Sequence, residues 1–114
     1  MCSDVQIVKI KRELPAKLHD ALGDKLHRVL LYGSYARGDY DAQSDIDIMV
    51  IADVAPDELR QYRNAVNHIA SRTGLENDVL ISIAMVDRDT IYSKRHVLPF
   101  YDAVLSEGEL LYAG

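Results

Sequence analysis

Two acidic residues separated by a single position are the clearest chemical feature of the sequence. Asp45 and Asp47 stand at the start of an apolar run over residues 46–51, which is rich in β-branched residues and predicts a buried strand. Side chains two residues apart in a strand point to the same face, with Cα atoms about 6.5 Å apart. Paired carboxylates repel each other, whereas Mg²⁺ binds such oxygen ligands together with substrate phosphates. The pair therefore predicts a divalent metal site, although aspartates also cap solvated strand ends.

A glycine and a serine follow the preceding apolar run, over residues 29–32. Gly33 has no side chain, so its backbone can approach a phosphate closely, and Ser34 adds a hydroxyl beside the backbone N–H groups of the turn. This pattern suits a triphosphate, but a Gly-Ser pair after a strand is more often only a turn. Arg37, in the polar loop predicted over residues 35–44, suits phosphate through its permanent charge; an exposed salt bridge is the alternative.

A third carboxylate would let two metal ions hold both the attacking and the leaving oxygens of a phosphoryl transfer. Asp78 is the first candidate, because it opens a predicted strand after a helical crossover and would lie beside the acidic pair if the two strands are neighbours. Glu76, in the turn before that strand, is a competing candidate. Asp53 is another, although capping of the next helix is its simpler role.

The elements that must position these residues alternate between helices and strands. Apolar residues at three- and four-residue steps over residues 7–21 predict a leading helix, which Pro15 kinks or splits in two. Strands are predicted over 29–32, 46–51 and 79–86, with a possible fourth over 109–112, and helices over 56–73, 89–95 and 99–106. The alternation predicts an α/β fold with its central strand covered by helices.

Composition limits the class of protein. The 114 residues, of which 48% are hydrophobic and 27% charged, predict one globular domain over residues 1–114. A formal charge of -5 disfavours direct binding of nucleic acid. The single cysteine, Cys2, excludes an internal disulfide. Without an apolar run of membrane-spanning length or a signal-peptide pattern, we expect a cytoplasmic protein with no membrane association.

The combined pattern resembles a known family. Leu31 to Gly38 reads LYGSYARG, and ten residues separate Ser34 from Asp45 and the D-x-D motif. This is similar to the polymerase-beta-like nucleotidyltransferase superfamily, and most similar to its minimal nucleotidyltransferase branch, the antitoxins encoded beside HEPN toxins. The resemblance covers nearly the whole chain. It implies the nucleotidyltransferase fold, an α/β (α+β) architecture with a small mixed β-sheet flanked by helices.

The resemblance also implies a role for each site residue. Gly33 and Ser34 would hold the β- and γ-phosphates of ATP, and Asp45 and Asp47 would hold two Mg²⁺ ions. Asp78 would bind the second ion and act as the base, although its segment, residues 77–80, matches the family less closely. An acceptor hydroxyl would then attack the α-phosphorus while pyrophosphate leaves.

Two further residues belong to the implied nucleotide site. Arg37 would bind phosphate or brace the loop, and Ser44, directly before the acidic pair, is included among the nucleotide-binding residues.

A chain of this length has no room for a second domain that would hold the acceptor. The resemblance implies that a partner protein brings it, namely a HEPN ribonuclease toxin that is neutralised when AMP is attached to its tyrosine. The acidic chain would gain association rate with a more basic partner. Two alternatives stay open: an antitoxin that acts by binding and occlusion without catalysis, and a nucleotidyltransferase that acts on a small molecule or a regulatory protein.

Overall fold

The fold is built on one four-stranded sheet in a computed structural model that describes residues 4–38 and 45–114. The strands are β1 (Leu26–Tyr32), β2 (Ile46–Ala52), β3 (Ile81–Asp87) and β4 (Glu109–Ala113), in the spatial order β3-β2-β1-β4. β1 pairs antiparallel with β2 and β4, and β2 pairs parallel with β3. The sheet is therefore mixed, and the predicted fold class is confirmed.

In the described part of the chain, five helices and two 3₁₀ turns connect and cover these strands. The helices are α1 (Asp4–Leu22), α2 (Ser34–Arg37), α3 (Leu59–Glu76), α4 (Arg88–Lys94) and α5 (Pro99–Glu107), and the 3₁₀ turns are Gly23–Lys25 and Pro56–Glu58. The part of the chain that the structure describes holds no helix long and apolar enough to cross a membrane.

The sheet separates two apolar clusters, and the alternation of β2 decides which residues enter each. Ile48 and Val50 pack into the cluster under α1 and α3, whereas Met49 and Ile51 pack into the cluster under α4 and α5. Because side chains alternate along a strand, Asp47 lies on the same face of β2 as Met49 and Ile51. The central position of β2, and the apolar character of both its faces, agree with the sequence-based prediction.

α1 is one helix, so the predicted alternative in which Pro15 splits it in two is wrong. A proline inside a helix removes one hydrogen bond and clashes with the preceding turn, at a cost of about 3 kcal/mol. Ile10, Leu14, Leu18 and Leu22 are all buried on one face of this helix, and each buried side chain of this kind contributes about 1.5–3 kcal/mol. The summed burial exceeds the cost of the proline, so the helix continues through it.

This packing predicts the effect of truncating the helix. Leu18 is 0% exposed, so we expect Leu18→Ala to lower the free energy of unfolding by about 2–5 kcal/mol. Val8 lies on the same helix but is 61% exposed, so Val8→Ala should change it by no more than about 0.5 kcal/mol. Urea denaturation measures both, and equal losses would contradict the packing of α1.

Two predicted boundaries near the site also differ from the structure. The predicted loop over 35–44 begins with a helical turn, α2, and its remainder, including Ser44, lies outside the described residues. β3 starts at Ile81 instead of residue 79, because α3 extends to Glu76 and the next four residues form the connection.

Candidate active site

The two carboxylates lie at the start of β2, on the face covered by α4 and α5. Asp47 is the second residue of the strand, and Asp45 directly precedes it. Burial raises the pKa of Asp47, the negative charge of Asp45 raises it further, and the Arg37 guanidinium opposes both effects. The electrostatic coupling shows that the structure brings these three predicted site residues together.

The Gly33 turn faces the same carboxylates. Tyr32, the last residue of β1, pairs with Asp47 across the antiparallel ladder, so Gly33 enters the turn beside it. Gly33 has φ 74° and ψ −152°, in a region that is essentially restricted to glycine. A Cβ atom at this position would overlap Oδ2 of Asp47. The turn therefore requires glycine for its backbone conformation and for its close approach to the acidic pair.

A short helical turn carries the remaining residues of the motif. α2 begins at Ser34, which is half-buried. The backbone N–H of Arg37 donates to the carbonyl oxygen of Gly33 at 3.1 Å, and that of Gly38 donates to the carbonyl oxygen of Ser34 at 2.9 Å. Gly38 ends the helix with φ 81°. These bonds explain how residues of a predicted loop hold Arg37 close to Asp47.

An aromatic pair lies beside the acidic residues. Burial, and then the charge of Asp47, raise the pKa of Tyr32, whose ring meets Phe100 edge to face at 5.5 Å between centroids. Both rings line a cavity of about 250 Å³ together with Gly33 and Glu107. Sequence analysis did not single out this aromatic pair, because only the packing of α5 on the sheet brings position 100 to β1.

The prediction that Asp78 opens β3 is wrong, because the strand begins three residues later, at Ile81. Asp78 lies in the turn between α3 and β3, exposed and with φ 52°. Within residues 4–38 and 45–114, no group of three histidine, cysteine or acidic side chains could hold a metal ion.

The physical reason lies at the end of α3. Asn77 is buried and its side-chain amide donates to the carbonyl oxygen of Thr73 at 2.8 Å. The backbone N–H of Val79 donates to the carbonyl oxygen of Gly74 at 2.9 Å. These bonds close the helix with a tight turn that includes Asp78 and delay the start of the strand.

The two competing carboxylates also lie elsewhere. Glu76, in the last turn of α3, is 3.5 Å from the Nζ atom of Lys17. Asp53 follows the opposite end of β2 and is 3.6 Å from Arg88. Both make exposed ion pairs, so neither completes the acidic pair.

A serine occupies the position on β3 next to Asp47. The parallel register of β2 and β3 pairs Asp47 with Ser82, which is exposed. Sequence analysis assigned no role to Ser82. Only the register between the two strands identifies it as the neighbour of Asp47.

The donor set fits a divalent cation. Asp45 and Asp47 supply hard oxygen ligands on one face of the sheet, as Mg²⁺ prefers. The raised pKa of Asp47 shows that its negative charge is only partly compensated by Arg37. A cation between the carboxylates would remove their repulsion. The described residues therefore fit a metal held by two carboxylates, and Asp78 is not part of it.

The uncompensated charge predicts a gain in stability when it is removed. A carboxylate with a raised pKa in the folded state destabilises the fold above that pKa, and the penalty disappears as the pH falls and it is protonated. We therefore expect Asp47→Asn to raise the Tm at pH 7, without divalent cations, by about 2–4 °C. Mg²⁺ should narrow this difference by stabilising the wild type alone. Differential scanning fluorimetry measures it, with Asp20→Asn on the exposed side of α1 as the control; a lower Tm for Asp47→Asn would contradict the repulsion.

Comparisons with known proteins agree with this arrangement. Residues 9–113 match the family model described as "Polymerase beta, Nucleotidyltransferase". A protein of Methanocaldococcus jannaschii, named "Putative protein adenylyltransferase MJ0141", is 38% identical over 104 residues, which cover 91% of this chain and 97% of the relative. A second protein of that organism, "Putative protein adenylyltransferase MJ0604", is 33% identical over 104 residues, covering 91% and 96%.

Solved structures share the fold. A nucleotidyltransferase from Sulfolobus solfataricus, described as putative, aligns with a TM-score of 0.62 and 22% identity, over 96% of this chain and 82% of that one. A toxin–antitoxin complex with AMP-PNP aligns with a TM-score of 0.55 and 23% identity, over 90% and 73%. A mutant of the toxin–antitoxin complex MntA-HpeT aligns with a TM-score of 0.54 and 21% identity, also over 90% and 73%.

Proposed function

Because the chain belongs to the polymerase beta nucleotidyltransferase family and is a nucleotidyltransferase, we propose that it transfers AMP from ATP to a hydroxyl group of a partner protein. The observation that carries the proposal is the contact between the Gly33 turn and the carboxylate of Asp47, with Asp45 and Arg37 beside them. The contact supports a site where a nucleotide tail and a metal meet. AMP is favoured over other nucleotides because both relatives from M. jannaschii are named adenylyltransferases.

In this mechanism each residue has a separate task. Asp45 and Asp47 would hold Mg²⁺, and Gly33 and Ser34 would bind the β- and γ-phosphates of ATP, with Arg37 as an additional positive charge. The acceptor hydroxyl oxygen forms a bond to the α-phosphorus and releases its proton to solvent, the bond from the α-phosphorus to the bridging oxygen of the β-phosphate breaks, and pyrophosphate leaves. The bound cation would supply charge neutralisation for the phosphates. Among the described residues no third carboxylate joins Asp45 and Asp47 for the two-ion arrangement expected from the sequence, and Asp78 lies in the turn that follows α3.

Exposed apolar side chains around the site support a protein as the acceptor. Leu80 is 66% exposed, and its carbonyl oxygen accepts a hydrogen bond from the backbone N–H of Ile46, next to Asp45, at 3.0 Å. On the other side of the site, Phe100, which lines the cavity beside Gly33, is 49% exposed. Exposed apolar groups that cluster around a polar site are typical of protein interfaces.

The proposed partner is a toxin of the HEPN type with a tyrosine hydroxyl as the acceptor. Its support is the shared fold with the nucleotidyltransferase-like chains of toxin–antitoxin complexes. The charge of -5 would speed association with a basic ribonuclease in the cytoplasm. We propose that residues 1–114 form a single catalytic domain and that the partner supplies everything that positions the acceptor.

The alternative is an antitoxin that blocks its partner without catalysis. The geometry of the site favours catalysis over this alternative, because the Gly33 turn lies against the carboxylate of Asp47 with Asp45 directly before the same strand, as a site for a metal and a nucleotide requires. A small-molecule acceptor is disfavoured because the surroundings of the site are open and apolar.

Mass spectrometry of the partner tests the proposal. The wild type, the toxin encoded beside it, ATP and Mg²⁺ are incubated, and the intact mass and the ribonuclease activity of the toxin are followed. We expect the toxin to gain the mass of one AMP or more and to lose activity. The double variant Asp45→Asn, Asp47→Asn should produce neither change. Equal inhibition by both forms without a mass increase would establish occlusion and refute the enzymatic proposal.

A further inference from the structure

We infer that Ser82 occupies the place on β3 from which a third ligand would complete the metal site, so that β2 and β3 with the residue before β2 offer the divalent cation two carboxylates, Asp45 and Asp47, and no third. The inference rests on the proposed function, in which the cation accompanies the nucleotide. It also excludes Asp78 from metal binding, although the acidic side chain of Asp78 lies only four residues before Ser82 in the sequence.

The register of the two parallel strands is the first support. All seven residues of β2 pair in continuous order with the seven residues of β3, which sets Asp47 opposite Ser82. Neighbouring strands lie about 4.8 Å apart. A side chain at position 82 is therefore close enough to share a cation with the carboxylate of Asp47.

The face of the sheet is the second support. Val86 is buried in the cluster under α4 and α5, and Ala84 packs against the same cluster, which includes Met49. Because side chains alternate along a strand, Ser82 continues the row of Ala84 and Val86 toward the site. Asp47 continues the row of Met49 in the same direction. Positions 47 and 82 therefore end two adjacent rows on the same face.

The position of Asp78 is the third support. Its backbone has φ 52° in the turn that closes α3, and it lines a surface depression with Gly74 and Leu80 that includes neither Asp45 nor Asp47. Among the described residues, Asp45 and Arg37 are the charged groups that shift the pKa of Asp47, and Asp78 is not one of them. The residue of β3 beside Asp47 is thus a serine with a neutral hydroxyl, at the position where a third carboxylate would have to lie to share the cation. The same end of β3 therefore has no carboxylate that could take the proton of the acceptor hydroxyl.

Metal binding tests the inference independently of AMP transfer. Mn²⁺ is titrated into the full chain with a saturating non-hydrolysable ATP analogue, and the free ion is followed by electron paramagnetic resonance. We expect Ser82→Asp to bind Mn²⁺ at least about tenfold more tightly, or to bind an additional ion. Ser82→Asn introduces a side chain of the size of aspartate without its charge, so its affinity for Mn²⁺ should stay within about twofold of that of the wild type. The same result is expected for Asp78→Asn. Asp47→Asn should lose most of its affinity.

A stability measurement guards against misfolded variants. Since Ser82 is exposed, Ser82→Asp should fold. Its Tm should be below that of Ser82→Asn in EDTA, because a third carboxylate adds repulsion, and Mn²⁺ should raise its Tm by more than that of the wild type. A Tm of Ser82→Asp that responds to EDTA and Mn²⁺ in the same way as the wild type would overturn the inference.

The remaining outcomes separate this inference from the proposed function. If Asp78→Asn weakens Mn²⁺ binding as much as Asp47→Asn does, or if Ser82→Asp binds Mn²⁺ with unchanged affinity and stoichiometry, the two-carboxylate site is wrong. The proposed function would survive either result, provided that the wild type still transfers AMP to its partner. A wild type that neither binds Mn²⁺ nor transfers AMP would refute both.

Discussion

Replacing Asp47 by asparagine is expected to reduce the rate of AMP transfer to the partner by about 10³-fold, equivalent to about 4 kcal/mol of transition-state stabilisation. Asp47 is the carboxylate that meets the Gly33 turn and that interacts with both Asp45 and Arg37. The amide keeps the size of the side chain but removes its negative charge. The fold should persist and the cation should be lost. Initial rates with radiolabelled ATP at saturating partner measure the effect.

The controls for this variant separate chemistry from folding and binding. Asp78→Asn and Asp20→Asn remove exposed acids away from the site, and both should keep the rate within about twofold. Asp47→Asn should still form the complex with the partner in size-exclusion chromatography. A rate within tenfold of the wild type would exclude Asp47 as a metal ligand.

Replacing Gly33 by alanine is expected to reduce the rate by about 10²-fold, although no functional group is removed. The new Cβ atom would occupy the space of the Asp47 carboxylate, and a displacement of about 1 Å in a catalytic group costs a factor of this size. The backbone conformation of Gly33 adds a strain of about 1–3 kcal/mol. Rates and the free energy of unfolding are both measured, because the two effects are distinct.

Gly38 offers a matched control for the strain alone. It has φ 81°, but a Cβ atom there would meet no atom of the described residues within 4 Å. Gly38→Ala should therefore lose stability without losing more than about threefold in rate. Equal rate losses for Gly33→Ala and Gly38→Ala would show that backbone strain, and not the contact with Asp47, makes glycine necessary.

Much of the site follows from local sequence. The alternation of β2 is enough to place Asp45 and Asp47 on one face, and the glycine at the end of the preceding apolar run predicts the turn that Gly33 makes. The family resemblance stated from these motifs is confirmed by the match over residues 9–113. Local patterns succeed here because the chemistry depends on residues within one strand and one turn.

The residue of β3 that lies beside Asp47 could not be predicted in the same way. The register of β3 on β2 depends on where α3 ends, and that end is decided by the buried Asn77 and the hydrogen bond between Val79 and Gly74. A shift of a few residues exchanges Asp78 for Ser82 beside Asp47. Pro15 is a similar case, because only the burial along α1 shows that the helix continues through it.

The central claim is that Asp45 and Asp47, facing the Gly33 turn, hold the divalent cation of a nucleotide. A crystal structure with Mn²⁺ and a non-hydrolysable ATP analogue tests it most directly, because anomalous scattering locates the ion. We predict an anomalous peak between the carboxylates of Asp45 and Asp47, with the β- and γ-phosphates against Gly33 and Ser34. A nucleotide-bound ion at Asp78, or one that contacts neither Asp45 nor Asp47, would contradict the account.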